Sequence, residues 1–204
     1  MNTLLKLKVR QKRIKRRSEI IEKTLQLIQT TPFQELSVRD ICEAAGISIG
    51  TFYHYFKRKD DLLIGLLCLV DIYMEEQVFP LLTSDNELEN LKTIAREFAS
   101  YVNSHGIERS KLISSCSLSD LDIYKQKRPL WLKIAEILAR GQEKKQVTTI
   151  FPPEKLTDLF LMALRGVTVD WSRRNGSYSL TERMEEFITL FFSSLAYTKL
   201  DDEQ

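Results

Sequence analysis

One stretch in the first third of the chain concentrates side chains that could contact nucleic acid. It covers residues 37–56, SVRDICEAAGISIGTFYHYF, and Lys57, Arg58 and Lys59 follow it directly. Hydroxyls, phenols and cations of this kind bind phosphate oxygens, and a helix with small or polar groups on one side can enter the major groove. The residue types therefore favour nucleic-acid contact over bond-making chemistry.

Two short helices must position these side chains. Ser37, with Asp40 three residues later, is typical of a helix N-cap with a capping box, and Gly46 suits the positive φ that ends a helix. Ser48 is the next N-cap candidate and opens a helix through Phe56. The alanines before Gly46 allow two helices to approach closely, so the stretch predicts a helix-turn-helix.

The same residues also fit a hydrolase pattern. Gly46-Ile47-Ser48-Ile49-Gly50 matches G-x-S-x-G, the turn that carries a nucleophilic serine after a buried strand. The residues before Ser48 have helical periodicity, which does not suit that turn. Only His54 and His105 could supply a base, and His54 lies six residues from Ser48 on the same short helix. We therefore expect no catalytic residue and no enzyme activity.

Positive charge is concentrated at the front of the chain. Residues 1–60 carry 13 Lys and Arg against 6 Asp and Glu, and residues 1–17 hold eight cations and no acid. The net charge of the whole chain is only +2, so the remainder is mildly acidic. A basic front favours contact with a polyanion. DNA is the preferred partner, and an anionic membrane surface or a merely solvated arm is the alternative.

Helical periodicity dominates the whole chain of 204 residues, which has only 7 Gly and 5 Pro. We predict an all-α fold of about nine helices, with no convincing strand. One helix is expected from about Asp60 to Gln77, and two shorter ones at about 108–120 and 121–126. Prolines 129 and 153 can occupy the first turns of two later helices.

Several kinds of site are not expected. Cysteines 42, 68 and 116 are odd in number, lack metal-binding spacing and sit in apolar sequence, so they are interpreted as buried small side chains. No phosphate loop or dinucleotide fingerprint occurs. No apolar run approaches the ~18 residues of a membrane span. We predict no metal, no cofactor and no membrane partner, and a cytoplasmic location.

Residues 37–63 closely resemble the DNA-binding signature of the tetracycline-repressor (TetR) family of bacterial regulators. The likeness is densest at 38–41 (VRDI), 44–48 (AAGIS), 50–56 (GTFYHYF) and 59–63 (KDDLL). It implies a sequence-specific transcriptional regulator, most often a homodimeric repressor released from a near-palindromic operator by a small molecule. It also implies a DNA-binding domain over residues 14–74 and a helical regulatory and dimerisation domain over residues 75–204.

Carried over residue by residue, the resemblance assigns DNA contacts. Ser37 would bind a phosphate, and Arg39 a phosphate or a base edge. The groove-facing residues would be Ser48, Ile49, Gly50 and Thr51. The residues that mostly clamp the DNA backbone would be Tyr53, His54, Tyr55 and Lys59, and a base contact is also open to His54. Many relatives carry a polar or basic residue at position 49, so Ile49 predicts packing on thymine methyl groups. The alternatives are a core position for Tyr55 and plain solvent exposure for His54.

In the family, the larger C-terminal domain binds the small molecule and forms the dimer. Side chains that could line a ligand pocket here are Phe98, Tyr101, Cys116, Tyr124, Trp131, Met162, Arg165 and Trp171, although each could be plain core. Dimer contacts are expected from two long C-terminal helices, through Phe160, Leu164, Val167, Phe187, Phe191 and Leu195. The alternative is that both helices bury these residues within one chain.

Overall fold

The computed structural model describes residues 16–115 and 128–197. In these ranges the chain forms nine α-helices, and its only strand-like feature is an isolated bridge between Val147 and Ala196. The predicted all-α fold is therefore confirmed. None of the described helices is both long enough and apolar enough to cross a membrane.

The helices follow one another with short connections. Helix α1 covers residues 16–28 of the described chain. The others are α2 (Val38–Ala45), α3 (Ile49–Tyr55), α4 (Asp61–Tyr73), α5 (Glu87–Ser104), α6 (Ile107–Ser115), α7 (Pro129–Glu143), α8 (Pro153–Arg173) and α9 (Leu180–Leu195). A π-helical turn (Met74–Val78) and a 3-10 turn (Phe79–Leu81) continue directly from α4.

Most predicted boundaries hold because local residues determine them. Helices α7 and α8 begin at Pro129 and Pro153, where the missing backbone N–H needs no partner. The predicted helix from Asp60 to Gln77 is confirmed as a continuous helical run, but its last turn is π-helical rather than α-helical. The predicted helix at 121–126 lies outside the described residues.

The chain divides into two compact units, and the division falls inside α4, between Leu69 and Val70. In the first unit, α1 to α3 and the start of α4 enclose an apolar core. Its fully buried side chains include Ile20, Ile21, Ile41, Phe52, Phe56, Leu62 and Leu66. This core fixes the helices that carry the predicted DNA contacts.

In the second unit, α5 packs against α7 and α9, and α8 packs against both α7 and α9. The shared core includes Met74, Leu91, Ile94, Ile134 and Phe160, all fully buried. Burying apolar side chains of this size is the main stabilising contribution to such a bundle.

A buried carboxylate ties the start of α5 to the end of α7. Glu87 is only 2% exposed and accepts hydrogen bonds from Arg140 Nε (2.9 Å), Lys144 Nζ (2.9 Å) and Asn90 Nδ2 (3.0 Å). The hydrogen bonds from Arg140 are the main reason why the pKa of Glu87 falls to about 2, against the opposing effect of burial. Two cations and an amide thus satisfy a carboxylate that would otherwise be costly to bury.

We expect Glu87→Gln to destabilise the protein by about 3 kcal/mol at pH 7, since this is the size of a pKa shift from 4.5 to about 2. The folded pKa is depressed, so the wild-type contribution is fully present above about pH 4.5 and is lost as the pH falls towards 2. Urea unfolding at several pH values measures it. The control, Glu89→Gln, removes only an exposed pair with Lys92 and should change little. Equal pH profiles for wild type and Glu87→Gln would contradict this assignment.

Candidate nucleic-acid interface

Local hydrogen bonds fix both ends of α2. The Ser37 hydroxyl accepts from the backbone N–H of Asp40 (3.2 Å), and Asp40 Oδ2 accepts from the backbone N–H of Ser37 (2.7 Å), which completes the predicted capping box. The Ser37 hydroxyl also donates to Asp40 Oδ2 (2.7 Å), and this hydrogen bond, followed by the one from the Ser37 backbone N–H, lowers the pKa of Asp40. At the other end, Gly46 adopts the left-handed conformation (φ 62°, ψ 42°), and the N–H of Ile47 donates to Cys42 O (3.0 Å).

Helix α3 begins at a second cap. The Ser48 hydroxyl accepts from the backbone N–H of Thr51 (3.1 Å) and lies 2.9 Å from the Thr51 hydroxyl. Ser48 therefore sits between two helices, and α2, not a strand, precedes it. A nucleophilic serine of the G-x-S-x-G type needs a strand at that place, so the structure gives the hydrolase pattern no support.

The two sides of α3 differ sharply. Phe52 and Phe56 are fully buried, with ring centroids 5.2 Å apart. On the outer side, Ile49 is 48% and Tyr53 is 53% exposed, although both are large side chains that burial would normally favour. The structure thus turns an apolar side chain and a phenol into solvent on one face of the motif.

The predicted DNA contacts are distributed over this outer surface. Ser37, Arg39, Ser48, Ile49, Gly50, Tyr53 and His54 are exposed, and Thr51 and Tyr55 are half-buried. Tyr55 is thus not a core residue, and His54 packs edge-on against its ring at 5.0 Å. The DNA roles of these residues stay predictions.

Lys59 departs from its expected geometry. Its Nζ donates to the backbone carbonyls of Phe33 (2.9 Å), Gln34 (3.1 Å) and Leu36 (2.9 Å). An ammonium has only three N–H groups, and all three are used within the chain, so the phosphate contact of Lys59 stays a prediction that this geometry does not favour. The neighbouring side chains of Lys57 and Arg58 are exposed, while their backbone N–H groups donate to Asp61 Oδ2 at 2.7 and 3.2 Å.

The residues predicted to line a ligand pocket differ in burial where the structure describes them, and their pocket role stays a prediction. Tyr101 and Trp171 are buried, whereas Phe98, Trp131 and Arg165 are half-buried. The indole N–H groups of Trp131 and Trp171 donate to Asp158 Oδ1 (2.7 Å) and Tyr178 O (3.0 Å), so both are already bonded within the chain. Cys116 and Tyr124 lie outside the described residues.

Met162 requires a correction. It is 64% exposed, because α8 turns the neighbouring Leu161 and Leu164 inwards and leaves Met162 on the opposite side. Met162 therefore does not line an interior cavity of the chain.

The predicted dimer contacts also require a correction. Phe160, Leu164 and Leu195 are buried in the core of their own chain, so they cannot meet a partner. This is the alternative of packing within one chain, and it holds for these three residues. Val167, Phe187 and Phe191 are half-buried, with Phe187 and Phe191 ring centroids 5.1 Å apart.

The apolar side chains that α8 and α9 leave in solvent are different ones. Leu159 and Met162 on α8 are exposed, and Leu190 on α9 is 73% exposed. We call these three residues the outer apolar face. These residues fit the apolar periodicity of the two helices, but that periodicity does not show which side of each helix is buried in the core.

A buried ion pair near the end of α4 was not predicted. Asp71 is buried and accepts from Arg128 Nε at 2.7 Å, while its Oδ1 accepts no hydrogen bond from any described residue. Arg109 is also buried, and its Nη2 donates to the Tyr101 hydroxyl at 2.8 Å. A single acid inside the apolar run LLIGLLCLVDIYM was the one available signal for Asp71.

The chain is similar in sequence and in fold to known bacterial regulators. Residues 20–66 match the family model described as bacterial regulatory proteins, tetR family. The HTH-type transcriptional repressor KstR2 of Mycobacterium tuberculosis is 25% identical over 195 residues, which cover 88% of this chain and 92% of that protein. Two solved structures share the fold with a TM-score of 0.72, covering 87% of this chain and 98% of each. They are the fatty acid degradation regulator FadR from Bacillus halodurans (20% identity) and FadR from Bacillus subtilis in complex with stearoyl-CoA (17% identity).

The turn before α3 generates a prediction about stability. Gly46 has φ 62° and no atom within 4 Å of an added Cβ, so Gly46→Ala should lose about 1 kcal/mol through backbone strain alone. Gly50→Ala is the matched control, because Gly50 lies inside a helix, where alanine is favoured by up to about 1 kcal/mol. Urea unfolding of both variants measures the difference. Gly46→Ala at least as stable as Gly50→Ala would refute the role of this turn.

Proposed function

We propose that this chain, whose residues 20–66 match the tetR family of bacterial regulatory proteins, is a transcriptional repressor whose helix α3 reads an operator from the major groove. The observation that carries this proposal is the outer side of α3, where Ile49 and Tyr53 are exposed over the buried Phe52 and Phe56. A large apolar side chain held in solvent beside small polar ones is suited to base edges and thymine methyl groups.

The surroundings of α3 supply contacts that carry no sequence information. Tyr53, His54 and Arg39 are exposed beside the proposed reading face, and Lys57 and Arg58 add two exposed cations after α3. Side chains of these types fix the register of a protein on the duplex through phosphates. The eight cations of residues 1–17 would add attraction to DNA, with the minor groove as the proposed site.

The outer apolar face supports a homodimer. Leu159, Met162 and Leu190 would bury their side chains against a second copy through α8 and α9, within a regulatory domain proposed to span residues 75–204. Two recognition helices related by a two-fold axis read two half-sites about one DNA turn apart. A near-palindromic operator follows from this symmetry.

A small-molecule effector is the proposed signal. FadR of Bacillus subtilis was solved with stearoyl-CoA, so fatty acyl thioesters are the first class to test on this chain. Asp71, which is buried, pairs with the half-buried Arg128 near the end of α4, the helix within which the chain passes from one compact unit to the other. A ligand would release DNA only if it binds the two conformational states unequally, and we propose a displaced α4 as the difference between them.

The competing proposal is a peripheral protein that binds polyanions through its basic front. We place the protein in the cytoplasm, where its operator is available, and selection of genomic fragments by the purified protein decides between the two. A near-palindromic sequence enriched by full-length protein, and still enriched after deletion of residues 1–17, supports the repressor. Loss of all binding on that deletion supports the competing proposal.

Substitution of Ile49 should change the base preference of the protein, whereas substitution of Tyr53 should change its affinity for every duplex. Ile49→Ala should remove the preference for thymine over deoxyuracil, which lacks the methyl group, at one position of each half-site. Tyr53→Phe removes only a hydroxyl that is proposed to bind phosphate, so it should weaken all duplexes by a similar factor. Titrations on paired thymine and deoxyuracil operators measure both effects. An unchanged thymine preference in Ile49→Ala would contradict the assigned contact.

Leu190→Glu should convert the proposed dimer into a monomer, because it would place a charge on the most exposed of the three side chains proposed to meet the partner. Leu132→Glu is the control, since Leu132 is comparably exposed at 51% but lies on α7. Sedimentation equilibrium gives the mass of each variant. A dimeric Leu190→Glu, or a monomeric Leu132→Glu, would show that the dimer uses another surface.

A further inference from the structure

Three backbone carbonyls enclose the ammonium of Lys59. Its Nζ donates to Phe33 O (2.9 Å), Gln34 O (3.1 Å) and Leu36 O (2.9 Å) and lies 4.8 Å from the centre of the Phe33 ring. Hydrogen bonds from a charged donor are stronger than neutral ones, and a ring face adds attraction. The ammonium is therefore fully occupied by its own protein.

The three carbonyls that Lys59 binds lie directly before α2. Residues 33–36 form the turn between α1 and α2, and Ser37, the N-cap of α2, follows directly. Lys59 itself lies between α3 and α4, and its own carbonyl accepts from the N–H of Leu62 at the start of α4 (3.1 Å). One side chain thus joins the entrance of α2 to the entrance of α4 across 25 residues of chain.

Within residues 16–115 and 128–197, no second side chain donates hydrogen bonds to these three carbonyls. The side chains of Phe33 and Leu36 are buried and anchor the turn to the core, but apolar contacts have no preferred direction. Three hydrogen bonds to one point do have direction, and they define where the N-cap of α2 lies. Because α2 leads through the Gly46 turn into α3, this also defines where the outer side of α3 points.

We propose that Lys59 is a positioning residue for sequence reading and makes no phosphate contact. It holds the turn of residues 33–36, and through it α2 and α3, in the orientation that brings Ile49 and Thr51 to the base edges. This inference rests on the proposed function of α3. Without the Lys59 ammonium, α3 should be held less firmly in the orientation that brings Ile49 and Thr51 to the base edges. The number of phosphates that the protein neutralises should stay the same.

The two roles give opposite results in a salt titration. Loss of a phosphate contact weakens operator and random DNA alike and lowers the slope of log K against log salt by about 0.9. Loss of a positioning residue weakens the operator alone, because random DNA is bound through phosphates and not through base edges. The slope on random DNA then stays as in the wild type.

The experiment compares three variants of the full-length chain on the selected operator and on a random duplex of the same length, over a range of salt. Lys59→Met removes the ammonium and keeps the length of the stem. Lys59→Arg keeps the charge, but a planar guanidinium cannot direct donors to three carbonyls around one point. Lys57→Met is the matched control, because its ammonium is two residues away on an exposed side chain.

We expect Lys59→Met and Lys59→Arg each to lose about tenfold or more in operator affinity, with random-duplex affinity and salt slope unchanged. Lys57→Met should lose affinity on both duplexes and about 0.9 in slope. Urea unfolding of each variant, followed by circular dichroism, reports that it is folded, because the basic residues 1–17 could bind a random duplex even in a misfolded chain.

Full operator preference in Lys59→Arg, or a slope for Lys59→Met lowered as in Lys57→Met, would overturn the inference and leave the repressor function intact. Absence of operator preference in the wild-type protein would overturn the function and the inference together.

Discussion

Helix α3, for which we propose the reading of DNA, is too short to be stable by itself, and contacts with the rest of the first unit stabilise it. Seven residues close only a few intrahelical hydrogen bonds, and isolated helices of fewer than about 12 residues are marginal in water. Helix α3 therefore depends on Phe52 and Phe56, which anchor it to the core, and on Ser48, which caps it. Because its inner side is fixed so firmly, its outer side can display residues that contribute nothing to folding.

The same division between inner and outer sides governs the second unit. Helices α8 and α9 each carry apolar residues on more than one side. One side of each helix packs in the core of the chain, with Phe160 and Leu164 on α8 and Leu195 on α9. The outer apolar face of Leu159, Met162 and Leu190 remains in solvent. Both units thus leave large apolar side chains exposed at the surfaces for which we propose a partner, DNA for the first and a second copy for the second.

The features that the sequence predicted well are the local ones. Ser37, Asp40 and Gly46 determine the ends of α2 through residues at most four positions away, so their pattern alone indicates the caps. Features that join distant residues could not be predicted. The Lys59 ammonium reaches carbonyls 23 to 26 residues away, and Asp71 and Arg128 are 57 residues apart.

Periodicity also has a physical limit, which the dimer residues illustrate. Apolar residues on two sides of α8 fit one helical pattern equally well, and only packing against α7 and α9 decides that Leu164 turns inwards and Met162 outwards. The π-helical turn after α4 could not be predicted either, since no residue between Met74 and Val78 is a local signal for it.

The central claim is that α3 reads base sequence and does more than attach a basic protein to DNA. Its most direct test is the ratio of affinities for the selected operator and for the same bases in scrambled order, followed as salt is raised. The account predicts a ratio of about 10³ or more that persists while both affinities fall. Equal affinities for the two duplexes, vanishing together with added salt, would contradict it.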